Sequence, residues 1–324
     1  MEYLFAPMEG ITYGEYRLLH REMFSGVKAY YSPFIAPDSR GNFKKKYLRE
    51  LTFDGMENEL VPQLLVNSAE AFNLTAVRLL DIGFREINLN AGCPSGTVFS
   101  KHKGAGMLSD LVSLDRILDG IYEQADRLGY RVSIKTRMGV QRTDEFTKIL
   151  EVFNRYPVSE LIVHARSRED YYTEPVSLHD LSVMAALSKH DICYNGDIGS
   201  KEDVDILREI IPDVRAVMIG RKAVANPAIF RQLHGGEALS REELRMFHDR
   251  LLSLYLSRGL ESHYAVERMK TLWAYMKELF GEEANREIKS LFKAKKLEDY
   301  QDAVNRLFEC GSFSSISRTG ITFR

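Results

Sequence analysis

Between Tyr3 and Arg221 the chain alternates short apolar runs with longer amphipathic stretches. The runs are YLFAP (3–7), AYYSPFIAP (29–37), VPQLLV (61–66), EINLNAG (86–92), VSIKTR (132–137), ELIVHAR (160–166), ICYNGD (192–197) and AVMIGR (216–221). Each is short for a helix, rich in β-branched or aromatic residues, and closed by Gly, Pro or polar residues, so each predicts a strand. In the segments 68–82, 111–128, 144–155 and 200–211 apolar residues recur at helical spacing instead, as with Phe72, Leu80 and their neighbours. Such alternation predicts right-handed βαβ units and a parallel sheet. The eight strand candidates match a (β/α)8 TIM barrel, whose usual size is about 250 residues. An open doubly wound sheet is the structural alternative, weakened because no G-x-G-x-x-G follows the first strand.

After NPAIFRQLHGGEALS the rhythm changes. Ser240 with Glu243 three residues on predicts a capping box, and the pattern then stays helical to about Cys310. The expected organisation is a catalytic barrel over 1–237 and a C-terminal helical domain over 238–324, its tail SFSSISRTGITFR loosely structured.

Composition adds limits. With 44% hydrophobic and 28% charged residues the 324-residue chain has the make-up of an ordinary globular protein. A formal net charge of −2 argues weakly against a nucleic-acid partner, so any phosphate track must be local. Local basic groups occur at Lys44, Lys45, Lys46 and Arg49, at Lys101 and Lys103, and at Lys289, Lys293, Lys295 and Lys296; solvated surface is the plain reading of each. The start MEYLFAPMEG does not read as a secretory leader, and no run approaches the roughly 20 apolar residues of a membrane span. Cys93, Cys193 and Cys310 are odd in number and without close pairing, so reduced thiols and a cytoplasmic location are expected.

In a parallel barrel the active site gathers at the C-terminal strand ends. Polar residues stand at those ends one after another: Met8 and Glu9, Gln63, Asn88 with Asn90, Lys135 with Arg137, His164 with Arg166, Asn195 with Asp197, and Gly220 with Arg221. A lone His or Lys there is usually structural or solvated, and it is their joint arrival that points to a site. The turns NGDIGS and IGRKAVANP follow the seventh and eighth strands, where barrels commonly bind phosphate through backbone N–H groups. Lys135 could form a Schiff base, as in an aldolase, or stabilise an anionic ring, and sequence alone leaves both open. Gln63 carries the donor and acceptor needed to read a planar heterocycle. Cys93 lies just past a strand end between Gly92 and Pro94, a placement that suits an active-site loop better than a core. No CxxC or HxxxH spacing accompanies it, so no metal is expected.

The stretches APMEG, PQL, INLNAGCPS, KGAGMLSD, SIKTRMG, IVHARSREDYY, YNGDIGS and MIGRKAVANPAIF resemble, in order and spacing, the motifs of the tRNA-dihydrouridine synthases. The resemblance covers residues 5 to about 231 closely, and RMKTLWAYM is similar to that family's RNA-binding C-terminal pattern. It implies an FMN-dependent enzyme driven by NADPH that saturates the C5=C6 bond of uridines in tRNA or other structured RNA. Hydride would pass from flavin N5 to C6, and Cys93 would give the proton to C5. By the same resemblance Pro7, Met8, Glu9, Gln63, Lys135 and His164 would hold the flavin, with Asn195, Gly196, Asp197, Gly220 and Arg221 at its phosphate end. Asn90 would bind the uracil, and Lys101, Arg137 and Arg166, with Lys103, Arg142 and Arg168, would hold RNA phosphates. A monomer on RNA, independent of metal and membrane, is the implied state. Competing readings are a flavin barrel acting on a free pyrimidine, a Schiff-base aldolase and a non-catalytic RNA-binding protein.

Overall fold

The computed structural model describes residues 1–44, 47, 51 and 59–315. Its strands are β1 (Glu2–Phe5), β2 (Ala29–Tyr31), β3 (Leu60–Val61), β4 (Gln63–Leu64), β5 (Glu86–Ala91), β6 (Arg131–Gly139), β7 (Leu161–Ser167), β8 (Ile192–Asn195) and β9 (Ala216–Ile219). They form one parallel sheet in the order β3-β2-β1-β9-β8-β7-β6-β5-β4. The two ends of that order, β3 and β4, flank Pro62, which has no N–H to give to a ladder. β3 pairs with β2 and β4 with β5, so the run 61–66 acts as one barrel strand broken at its proline and the ring closes. The result is the expected TIM barrel. The candidate strand at 29–37 is shorter than its pattern: β2 stops ahead of Pro33, and the chain regains the sheet through a bridge from Ile35 to Leu64.

Around the barrel lie α1 (Gly14–Met23), α2 (Ala69–Ile82), α3 (Gly96–Phe99), α4 (Leu111–Leu128), α5 (Phe146–Phe153), α6 (Leu178–Ala185), α7 (Lys201–Ile210), α8 (Arg221–Ala225) and α9 (Ile229–Leu233). Side chains start several of them where the sequence predicts. Ser68 Oγ accepts from Ala71 N, Asp110 Oδ1 from Ser113 N, and Ser200 Oγ from Asp203 N, each satisfying an N–H that the first turn leaves unpaired.

A small apolar cluster fills the barrel, including Leu4, Tyr31, Ile162, Cys193 and Met218, while a larger one lies between sheet and helices. Because side chains on a strand alternate in direction, the parallel register sorts the interior into rows. Asn90, Lys135, Ile162, Cys193 and Ala216 align in one, and Arg137, His164, Asn195 and Met218 in the next toward the strand C-termini. The apolar residues of these rows pack the barrel, and the polar ones are left to build a site above them.

The C-terminal helices are α10 (Arg241–Ser257), α11 (Ser262–Met276), α12 (Asn285–Lys293) and α13 (Leu297–Glu309). α10 opens with the expected capping box: Ser240 Oγ accepts from Glu243 N, and Ser240 N donates to Glu243 Oε2. Phe247 of α10 meets Tyr16 edge-on at 5.3 Å and Phe24 at 5.5 Å, so the apolar core runs without a break from barrel to helices. Within the helical part Trp273 Nε1 donates to Tyr300 OH at 2.9 Å, and that hydroxyl lies 2.7 Å from His248 Nε2, satisfying three buried polar groups.

The tail departs from expectation at its start. Phe313 bridges Phe280, Ser314 N donates to Leu279 O, and Ser315 O accepts from Asn226 Nδ2. Residues 316–324 of that tail, and Lys45, Lys46 and Arg49 of the first basic group, lie outside the described residues. No helix among the described residues is long and apolar enough to cross a membrane.

Candidate active site

A cavity of about 520 Å³ opens at the C-terminal ends of the strands. Its wall includes Pro7, Met8 and Glu9 after β1, Gln63 of β4, Asn90 of β5 and Cys93 beyond it. Lys135 and Arg137 of β6, His164 of β7, and the turns Asn195-Gly196-Asp197 and Gly220-Arg221 complete the ring. Residues as far apart in sequence as Met8 and Gly220 thus share one wall, because each stands at the end of a strand.

Two hydrogen-bond networks set the polar groups. On one side Asn88 Nδ2 donates to Ser133 Oγ, Gln63 Nε2 to Asn88 Oδ1 at 2.7 Å, and Asn90 Nδ2 to Gln63 Oε1 at 2.8 Å. Asn90 Oδ1 in turn accepts from the backbone N–H of Gly92 and of Cys93 at 3.1 and 2.9 Å. The orientation of Asn90 is therefore locked from below, and it fixes the turn that carries the thiol. On the other side Lys135 Nζ donates to Asn195 Oδ1 at 2.8 Å, and Asn195 Nδ2 to Met218 O at 2.7 Å.

The anion end is built on Asp197, a non-glycine residue with φ of 49°. Its carboxylate accepts from Arg166 Nη2 at 2.5 Å and from Arg221 Nη2. Arg221 and Arg137 lie over the ring of Tyr172 at 4.7 and 5.0 Å from its centroid. Such charge–quadrupole contacts hold guanidinium groups near the cavity without neutralising them.

The electrostatics follow from enclosure and crowding of cations. Burial, with the charge of Arg137 adding to it, lowers the pKa of Lys135 to about 8. Burial and then Arg137, Lys135, Arg166 and Arg221 push His164 well below its ordinary value, so its ring is neutral near pH 7 and serves as a hydrogen-bonding group. Arg166 Nη1 lies 3.3 Å from His164 Nε2, consistent with a neutral ring that accepts. Burial raises the Cys93 thiol, partly offset by the backbone of Ser95 and by Arg137 and Lys135. The thiol is thus held in its protonated form at neutral pH.

Cys93 is also gripped from above. Ala105 N donates to Cys93 O at 3.1 Å, and Gly104, with φ of +56°, passes so close that a Cβ there would lie 2.8 Å from the Cys93 Cβ. The KGAGM stretch needs its glycine for that approach.

Not every expected residue meets the cavity. Lys101 is exposed on the loop after α3, its carbonyl accepting from Asn67 Nδ2. Arg166 is 3% exposed, and it is spent on Asp197, His164 and the Glu174 carbonyl, so it stands behind Asp197 and does not line the cavity. Arg137 is equally buried but does face the cavity. Conversely, the wall includes Phe34, Tyr172, Lys222 and, from α11, Tyr275, none of which stands at a strand end. Tyr172 lay in the motif IVHARSREDYY and could have been found there, whereas Tyr275 lies in RMKTLWAYM, a stretch tied by its resemblance to RNA binding and not to the barrel cavity.

A closed parallel barrel with its polar wall at the strand C-termini is the architecture of a barrel enzyme. Residues 4–311 match the dihydrouridine synthase (Dus) family, and the chain belongs to that family. It is an oxidoreductase. It is 29% identical over 317 residues to tRNA-dihydrouridine synthase B of Pseudomonas aeruginosa, covering 94% of this chain and 92% of that protein. A similar protein of the same name from Xanthomonas axonopodis pv. citri is 28% identical over 254 residues, covering 77% of this chain and 75% of the relative. Among solved structures, morphinone reductase superposes with a TM-score of 0.51 at 13% identity over 76% of this chain and 88% of its own, a likeness of fold.

Proposed function

We propose that the protein reduces uridines in tRNA to 5,6-dihydrouridine, using bound FMN and NADPH, with Cys93 as proton donor. The observation that carries the proposal is the meeting of Cys93, Asn90 and Lys135 on one cavity wall in a chain of the dihydrouridine synthase family.

The residues present fit a flavin mononucleotide. The volume lies within the usual range for cofactor sites of about 300–1,000 Å³. Arg137 is buried on the cavity wall beside Tyr172, and its Nη2 would be satisfied more fully by an anionic or carbonyl-bearing ligand. An ammonium has three donors and Asn195 takes one from Lys135, so donors remain for the ring. Gln63, Lys135 and His164 would hold the isoalloxazine beside Pro7, Met8 and Glu9, and Asn195, Gly196, Asp197, Gly220 and Arg221 would hold the phosphate. Arg166 supports that end through Asp197.

A bound flavin, reduced by NADPH, would supply the hydride for uracil C6. Asn90, its amide fixed by Gln63, would orient the uracil, and the charge left along C5 and the C4 carbonyl would be quenched by a proton from Cys93 Sγ to C5. A thiol kept protonated by burial is suited to that step. A uridine in folded RNA must be extruded to reach the cavity, at a cost of a few kcal/mol. Binding energy from the helical part, read as an RNA-gripping domain over 238–324, would offset it, with Lys289, Lys293, Lys295 and Lys296 extending the contacts of Lys101 and Lys103. Tyr275 supports this division of labour, since it brings the helical part to the same wall as Cys93. A cytoplasmic monomer acting on RNA completes the proposal.

The test is incubation with FMN, NADPH and unmodified tRNA, followed by nucleoside mass spectrometry. Dihydrouridine that depends on both small molecules supports the reading. A flavin-loaded protein that changes only ribosomal RNA or a free pyrimidine redirects the substrate, and a protein that binds no flavin overturns the proposal.

A further inference from the structure

We infer that Arg168 is a positioning residue that clamps the loop bearing Cys93; the inference rests on the reading of Cys93 as proton donor. Arg168 follows β7 and does not line the cavity. Its backbone N–H donates to Gly139 O at 2.8 Å, which anchors it to the end of β6. From there its side chain crosses to the segment after β5. The guanidinium lies over the ring of Phe99, 4.3 Å from the centroid, and Nε donates to Pro94 O at 3.3 Å. Pro94 is bonded to Cys93, and Phe99 ends α3, so one side chain holds both ends of the segment 94–99. Tyr171 adds a second ring at 5.6 Å, its hydroxyl 3.4 Å from Nη2.

The opposite side of that segment is closed by backbone. Ala105 N donates to Cys93 O and Lys103 N to Val98 O, and a Cβ on Gly106 would lie 2.7 Å from Phe99 O. The thiol loop is therefore held between the KGAGM stretch and Arg168. A planar guanidinium can lie flat on a ring while an edge N–H reaches a carbonyl, which an ammonium cannot do at once. The side chain is 16% exposed and its nearest carboxylate, Glu169, is 3.9 Å away, so the rings and the Pro94 carbonyl are its closer partners. Proton transfer tolerates little misplacement of the donor, and a shift of Cys93 would slow that step alone.

Flavin-loaded wild type, R168A, R168K and F99L would be compared in three measurements. These are flavin reduction by NADPH, single-turnover dihydrouridine formation on unmodified tRNA, and the pH dependence of Cys93 alkylation by iodoacetamide, followed at that residue by peptide mass spectrometry. For R168A the expected result is product formation slowed about tenfold or more with flavin reduction within about twofold of wild type. Cys93 alkylation should become faster or shift in its pH dependence, R168K should recover part of the loss, and F99L should move in the direction of R168A. If R168A does not fold, F99L and R168K decide by the same criteria. Alkylation of Cys93 indistinguishable from wild type in rate and pH dependence, or a loss in flavin reduction equal to that in product formation, overturns the clamp. Failure of wild type to make dihydrouridine from any RNA would instead refute the proposed function, and the alkylation comparison would still decide whether Arg168 holds the loop.

Discussion

At the level of single residues, the site sets two protonation states in opposite directions by the same means. Burial penalises the charged form, so it raises the Cys93 thiol and lowers the Lys135 ammonium. For Cys93 the active form is the protonated one, present below its raised pKa and lost as pH rises through it. Single-turnover product formation should hold level through neutral pH and fall only above the ordinary thiol range of about 8.5. A decline beginning below pH 7 would assign the proton to another group. For Lys135 the sign is the reverse of a stabilising ion pair. Its folded pKa of about 8 lies below its unfolded one, so the buried charge costs stability below about pH 8 and the cost fades as pH rises toward about 10.4. Ligand-free K135M should therefore melt at or above the temperature of wild type at pH 7 while binding FMN more weakly. A lower melting temperature with unchanged FMN affinity would make Lys135 a structural residue.

Among the elements, periodicity and punctuation located every barrel strand, and the misjudged details have physical causes. Pro62 breaks one apolar run into β3 and β4, and Pro33 lies just past the early end of β2, because a residue without an N–H cannot continue a ladder. The strand-end polar residues were legible because alternate positions face inward: Lys135 with Arg137 and His164 with Arg166 are each two apart. The same alternation was blind to depth. It could not show that Arg166 is buried behind Asp197, since that depends on a turn from another strand. Tyr275, although it lies in RMKTLWAYM, could not be assigned to the cavity for a related reason, as only the docking of α11 brings it there. The loop over Cys93 offers a test at this level. G104A places a side chain in left-handed backbone against the Cys93 Cβ, and should cost about 1–3 kcal/mol of stability in thermal or denaturant unfolding. Product formation should fall further than flavin reduction does. Equal stability would mean that the loop can move aside.

For the molecule as a whole, the change of rhythm near Gly235 and Gly236 was legible, and the described elements from Arg241 to Glu309 are all helical. That boundary in pattern is not a boundary in packing. Phe247 sits between Tyr16 and Phe24, and one apolar core includes Phe5, Phe230, Phe247 and Trp273. Barrel and helices should accordingly unfold in a single calorimetric transition, and F247A, which empties a buried aromatic site, should cost about 3–5 kcal/mol. Two separate transitions in wild type would show that the parts are energetically independent. Charge was legible as a sum and as short basic groups along the chain, but not as the balance at the site. A total of −2 conceals a cavity where Lys135, Arg137, Arg221 and Lys222 outnumber Asp197 and Glu9, because folding gathers residues that the sequence scatters.

The decisive experiment counts dihydrouridine per tRNA by mass spectrometry after reaction with FMN-loaded protein and NADPH, with Cys93→Ala beside wild type. Wild type is expected to form dihydrouridine, and the variant, still reduced by NADPH at the wild-type rate, to form it about 10²–10⁴-fold more slowly. Equal product from the two proteins would rule out the role of Cys93, and unchanged tRNA with a fully loaded, reducible wild type would rule out the proposed reaction itself.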